Sequence, residues 1–262
     1  MDYLGKFSKL VENPEKIMVL PRFLAREPFR LYFLHKGEYS ISANDCEASF
    51  VVDSDSEAIR FYEFSSESKF LESLLSSLEE DSVFWDVGAN IGIFSCLAGD
   101  KVVNGGVVGF EPLDENFERL KQNADLNGLD IRCFQKVLQD ENSEVFLDSP
   151  SEEAGEGEAS IGDEGLKVDG VTGDYMVKEY DLDVPDVIKI DVEGAELKVL
   201  KGLENVLDSG PNVFVEIHPK RLRNQFDSSE DELVAFMEAY GFDCEVIQSR
   251  GVQKHVLFSK NV

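Results

Sequence analysis

The chain has 262 residues, of which 42 % are hydrophobic and 19 are Phe, a composition that suits a sizeable folded core and excludes overall disorder. Lys and Arg number 25 against 53 Asp and Glu, giving a formal charge of -28. Such a surface repels phosphate backbones and anionic lipid, so neither nucleic acid nor membrane is expected as a partner. It suits the salty interior of a halophile, where ions screen the self-repulsion; an ordinary acidic protein with one very acidic loop is the plain alternative. No apolar run reaches the roughly 18 residues of a membrane span, and the first residues lack a signal-peptide stretch. Cys46, Cys96, Cys133 and Cys244 form no CxxC pair, and three of them sit in apolar runs, which reads as buried thiols in a reducing compartment. A soluble, cytoplasmic protein is expected.

Residues 1–66 read as an N-terminal extension. Pro14, Pro21 and Pro28 break its first part into short helical pieces. "FRLYFLHKGEYSIS", "ASFVVDS" and "AIRFYEF" then read as antiparallel strands, which could cover a sheet edge, shape a pocket or pair with a second chain. "ESKFLESLLSSLEE" is an amphipathic helix with Phe70, Leu74, Leu75 and Leu78 on one face.

Residues 67–262 then alternate strand and helix. "SVFWDVG", "GVVGFEP", "IRCFQKVLQ", "PDVIKID" and "NVFVEIH" are strands, and helices follow most of them. "DENFERLKQNADLNG" is a helix that Gly128 stops, with Phe117, Leu120 and Ala124 facing inward, and Ser229 with Glu232 forms a capping box. "FDCEVIQS" and "QKHVLFS" close the chain as a hairpin. This order predicts an α/β fold with a mostly parallel sheet covered on both faces and an antiparallel end. Residues 148–165 hold seven acids and no base, and read as a solvated loop or, alternatively, a lid.

Ligands of open parallel sheets bind beyond the carboxyl ends of the strands. The first strand delivers Asp86, Gly88, Ala89, Asn90 and Gly92 there, a glycine loop that lets a ligand approach the backbone but departs from GxGxxG at Asn90. The second ends in Glu111, 25 residues beyond Asp86, where a carboxylate can accept hydrogen bonds from ribose hydroxyls. The fourth brings Asp191, Glu193 and Glu196 together, and the fifth adds Glu216 and His218.

Taken together, "FWDVGANIGIFS", "GFEP", "LNGL", "PDVIKIDVEGAE" and "VFVEIH" resemble the FkbM family of S-adenosylmethionine-dependent methyltransferases from about Glu67 onward. The resemblance implies a Rossmann-like class I methyltransferase sheet with an antiparallel last strand, and O-methylation of sugars or secondary metabolites. It places Asp86, Gly88, Asn90 and Gly92 beside the methionine part of S-adenosyl-L-methionine, Glu111 on the ribose, and Leu113, Val137 and Leu138 around the adenine.

Methyl transfer to a hydroxyl needs a positioned oxygen and a base. His218 is the expected base, because its ordinary pKa lies nearest neutrality. Asp191 or Glu193 would orient the hydroxyl or hold the His218 tautomer, while Glu196 reads as a helix-start carboxylate. A divalent metal on Asp191, Glu193, Glu216 and His218 ranks second to acid–base chemistry. His35 and His255 read as structural, Trp85 as core, and "PKRLRNQF" as basic surface or a seat for an anionic acceptor such as a uronic acid. The rivals are a nicotinamide-dependent oxidoreductase on a similar fold and a cofactor-binding protein without catalysis.

Overall fold

The computed structural model describes residues 33–148, 154–155, 160–162 and 164–260; the helical pieces expected before Phe29 lie outside them. A seven-stranded sheet forms the centre, with strand order β12-β13-β11-β10-β3-β4-β5. Its parallel members are β3 (Val83–Val87), β4 (Gly106–Phe110), β5 (Ile131–Phe134), β10 (Val187–Ile190) and β11 (Asn212–Ile217). The closing hairpin, β12 (Asp243–Arg250) and β13 (Gln253–Ser259), inserts β13 antiparallel against β11. This is the expected class I methyltransferase sheet. Strand order reverses at β3, so the crevice at its carboxyl end lies between β4 on one side and β10 on the other.

β10 and β11 are buried at nearly every position because helices cover both faces of the sheet. Trp85 is fully buried among Phe110, Ile188 and Leu200, as expected of core. Phe117 is only half-buried; α4 (Asp114–Leu126) turns Asn116, Leu120, Asn123 and Ala124 inward instead.

The upstream segment forms one hairpin, β1 (Glu38–Ala43) with β2 (Cys46–Val51), followed by helix α1 (Asp55–Phe64). "AIRFYEF" is thus helical, not a strand. Its aromatic and β-branched content favours strand, but Ala58, Phe61 and Phe64 recur every three residues and bury one helical face. Phe50, Phe61 and Phe64 share a core with Phe70 of α2 (Ser68–Ser76) and Phe94 of α3 (Ile93–Lys101). The Oδ1 atoms of Asn123 and Asn127 accept hydrogen bonds from the Val51 and Ser49 backbone N–H at 3.0 and 2.8 Å, which fastens the hairpin to α4.

A second sheet holds β6 (Val137–Leu138), β7 (Ser143–Asp148), β8 (Ser160–Gly162) and β9 (Leu166–Val171), in the order β6-β9-β7-β8; the sequence "SEVFLD" reads as the strand β7, but β8 and β9 were not legible. The acidic stretch is therefore not simply a solvated loop. Part of it pairs as β8, and Ala154 is buried, with the Gly155 N–H donating to Asn116 Oδ1 at 2.8 Å. Of the cysteines, Cys46 and Cys96 are buried, Cys133 is intermediate and Cys244 is exposed, so burial holds for only two. Among the described residues, no helix is long and apolar enough to cross a membrane.

Candidate active site

A cavity of about 450 Å³ opens at the carboxyl ends of β3 and β10. Gly88, Asn90, Glu111, Leu113, Val137, Leu138, Asp191, Glu193, Glu216 and His218 all line it, so ten of the thirteen residues singled out in the sequence meet there. One end is apolar, formed by Leu113, Val137 and Leu138, and the other is crowded with carboxylates.

The loop after β3 is shaped by contact. Gly88 has φ +77°, and a Cβ there would lie 1.9 Å from the Asp191 carbonyl oxygen. Asn90 also takes a left-handed backbone, at φ 51°. Glu111 holds this turn: its carboxylate accepts from the N–H of Asn90 at 2.8 Å and of Leu113 at 3.0 Å. Burial pushes the Glu111 carboxyl up to about 7, against those bonds and the Lys189 charge.

Asp86, Ala89 and Gly92 do not line the cavity, contrary to the sequence reading. Asp86 faces α3 and is fully buried, accepting from Ser95 Oγ at 2.6 Å and pairing with Lys189 Nζ at 3.0 Å. Ala89 is buried, and Gly92 faces Leu120, where a Cβ would come within 2.5 Å of its side chain. These three support the loop from beneath. Lys189 also donates to the Gly88 carbonyl at 2.7 Å and lies 3.9 Å from Asp191. Burial disfavours its charge, but Asp86 and Asp191 outweigh that, and its pKa is raised.

His218 caps the start of α8 (Pro219–Phe226) and is 4 % exposed. Its Nδ1 lies 2.7 Å from Glu196 Oε1, and its Nε2 lies 3.2 Å from Glu193 Oε2 and 3.7 Å from Glu216 Oε1. Burial lowers its pKa, but the Glu196 hydrogen bond and the Glu193 and Asp191 charges win and raise it to about 10. An imidazolium has no lone pair to take a proton, so this raised value argues against the role of neutral base expected of His218. Glu196 is likewise more than a helix-start carboxylate, since it is fully buried as the partner of His218.

The surrounding carboxylates differ sharply. Burial raises Asp191, with Glu216 adding to the shift, and raises Glu193 to about 7. Glu216 goes the other way, to about 2: burial would raise it, but His255, His218 and Arg250 outweigh burial. His255 is thus not remote from the site, as its sequence position suggested. It lies 3.0 Å from Glu216 and stacks on Phe70 at 4.3 Å. His35, by contrast, is exposed. Within the basic stretch, Arg221 pairs with Glu193 at 3.3 Å. Glu193 itself holds φ 54°, a strained value for a non-glycine residue at the heart of a site.

Two arginines complete the far wall: Arg60 from α1 and Arg250 from the end of β12. No pattern announced them, because they are far apart in sequence and one sits in a segment read as a strand.

The model of the methyltransferase FkbM domain matches residues 86–244, spanning the glycine loop, Glu111, the carboxylates and His218. The chain belongs to the FkbM methyltransferase family. As a member of the FkbM family it is an enzyme, and the oxidoreductase and non-catalytic readings fall away. It is 36 % identical over 172 residues to the hexuronic acid methyltransferase AglP of Haloferax volcanii, covering 65 % of this chain and 70 % of that protein. It is 26 % identical over 200 residues to the 31-O-demethyl-FK506 methyltransferase FkbM of Streptomyces tacrolimicus, covering 63 % and 74 % respectively. A solved FkbM methyltransferase from Methylobacillus flagellatus KT aligns with a TM-score of 0.47 at 16 % identity, covering 78 % of this chain and 55 % of that one.

Proposed function

We propose that this FkbM-family enzyme transfers a methyl group from S-adenosyl-L-methionine to an oxygen of a sugar, free or within a glycan. The observation that carries the reading is the cavity itself, where a buried carboxylate, Glu111, shares one space with Asp191. The sugar is supported by the 36 % identity to a hexuronic acid methyltransferase.

The residues present fit the cofactor. Glu111 would hold the ribose hydroxyls, with Leu113, Val137 and Leu138 around the base. The open backbone at Gly88 and Asn90 would border the amino-acid end. Residues 67–262 would then hold the cofactor, while the stretch up to residue 66 would contribute to the acceptor wall. When bound, the cofactor supplies an electrophilic methyl group on a positively charged sulfur.

The chain's own residues do the rest. Asp191 is the proton acceptor we assign. It faces the cavity, its raised pKa brings it closer to working pH, and its ion-pair partner Lys189 stays 3.9 Å away. Glu193 is engaged by both His218 and Arg221, and so serves to position. The His218 imidazolium, fixed by Glu196, keeps this group of carboxylates from repelling one another apart. A divalent metal is the weaker reading. Asp191, Glu193 and His218 offer ligand atoms within 4.8 Å of one another, but Glu193 is already engaged by His218 Nε2 and by Arg221.

The test is methyl transfer from labelled S-adenosylmethionine to a panel of neutral and acidic monosaccharide glycosides, with the product treated with mild alkali. A labelled product that survives alkali carries the methyl on a hydroxyl, and one that is saponified carries it on a carboxylate, where Asp191 would not be needed as a base. Label on none of the sugars, with cofactor binding intact, would sink the sugar reading.

A further inference from the structure

Glu67 is a buried carboxylate, 3 % exposed in its side chain, and a single one of its oxygens, Oε1, takes both Arg60 Nη1 at 2.9 Å and Arg250 Nη1 at 3.1 Å. Two guanidiniums thus share one carboxylate oxygen, and beyond it Arg60 has the more distant charges of Asp191 and Glu216. Arg250 leans on Glu216 only at 3.8 Å, and Glu216 already has His255 at 3.0 Å. Among the described residues, the remaining guanidinium nitrogens of both arginines have no hydrogen-bond partner, and the Arg60 group lies over the Phe64 ring at 5.7 Å. Both side chains open to the cavity, at 17 % and 27 % exposure. Gln253, paired with Arg250 across the hairpin, adds an amide beside them. All this occurs in a chain with half as many basic as acidic residues.

From this geometry we infer that Arg60 and Arg250 form a carboxylate-binding subsite, which selects acceptor sugars of the uronic acid class. The inference rests on the sugar reading above and adds the residues that choose among sugars. A planar guanidinium matches a carboxylate in two parallel hydrogen bonds, which a neutral hydroxymethyl group cannot supply. Glu67 holds the two forks at a fixed separation, so the subsite is formed before the acceptor arrives. The basic stretch "PKRLRNQF" commits Arg221 to Glu193 instead.

The experiment compares methyl β-glucuronide with methyl β-glucoside as acceptors for the wild type, Arg60→Gln, Arg250→Gln and Arg250→Lys. Charged hydrogen bonds of this kind predict a preference for the glucuronide of roughly 10- to 100-fold in kcat/KM. Each glutamine variant should lose that preference, mainly through KM, while still binding S-adenosylhomocysteine, and the lysine variant should recover only part of it. Equal use of the two sugars by the wild type, or equal loss on both in the variants, would reduce the arginines to partners of Glu67. If neither sugar is methylated, the sugar reading fails on its own account. Calorimetry with the glucuronide then decides the subsite: binding weakened at least tenfold by Arg250→Gln upholds it, and no binding overturns it.

Discussion

Nδ1 of His218 lies 2.7 Å from Oε1 of Glu196, and both side chains are buried. The pair joins the end of β11 to the first turn of the helix Glu196–Lys201, and with Glu193 and Asp191 nearby it keeps the imidazole charged. The ordinary histidine value is 6.5 and the folded value about 10, so the stability this pair contributes is present in full below about 6.5 and lost as pH rises through 10. Melting temperature should fall across that alkaline window. Glu196→Gln should flatten the slope, and an unchanged slope would separate the pair from the alkaline limb.

Replacement of Asp191 by Asn keeps the shape and removes the proton acceptor. For a hydroxyl acceptor, kcat should drop by roughly 10²- to 10⁴-fold. Affinity for S-adenosylhomocysteine, read by calorimetry, should change little. In the wild type the rate should rise with pH through the range above the ordinary aspartate value, in keeping with its raised pKa.

Gly88→Ala would set a methyl group against the Asp191 carbonyl at 1.9 Å on a left-handed backbone. The backbone strain alone costs about 1–2 kcal/mol, and the clash forces β3 and β10 to part where the cavity opens. Both the unfolding midpoint and S-adenosylhomocysteine affinity should fall. A variant that melts lower yet binds normally would show that the loop is not the cofactor's seat.

Lys189→Met strands the buried Asp86 carboxylate, a loss on the order of 3–5 kcal/mol in denaturant unfolding. The double variant with Asp86→Asn should regain part of it. Two independent losses that simply add would mean that the two charges do not act as a pair.

Much of this architecture was legible because its parallel strands are short apolar runs ending in acids and glycine, as in Val83–Val87 before Gly88 and Val187–Ile190 before Asp191. Other features were hidden for physical reasons. Helix α1 was hidden because aromatic residues promote strand in short windows, and β8 because acidic composition masks pairing that depends on a distant partner. The His218 charge state depends on three carboxylates from other elements, so the free-histidine value was a poor guide. Lys189 carried a signal that was passed over, a lysine in the middle of a strand buried at every other position.

With a formal charge of -28, the native state should gain from screening. The melting temperature is expected to climb steadily as KCl is raised from dilute to molar concentration. A flat response would remove the argument for a halophilic setting.

The helix that carries Arg60 ends before Asp86, where the family match begins. Arg250 lies just past the other end of that match, so the two arginines of the inferred subsite flank the matched segment from opposite sides. Related enzymes could then diverge in what they modify by rewriting the two flanks together. For the engineer, the helix with Arg60, its partner Glu67 and the terminal hairpin with Arg250 would have to be exchanged as a set to transplant acceptor choice.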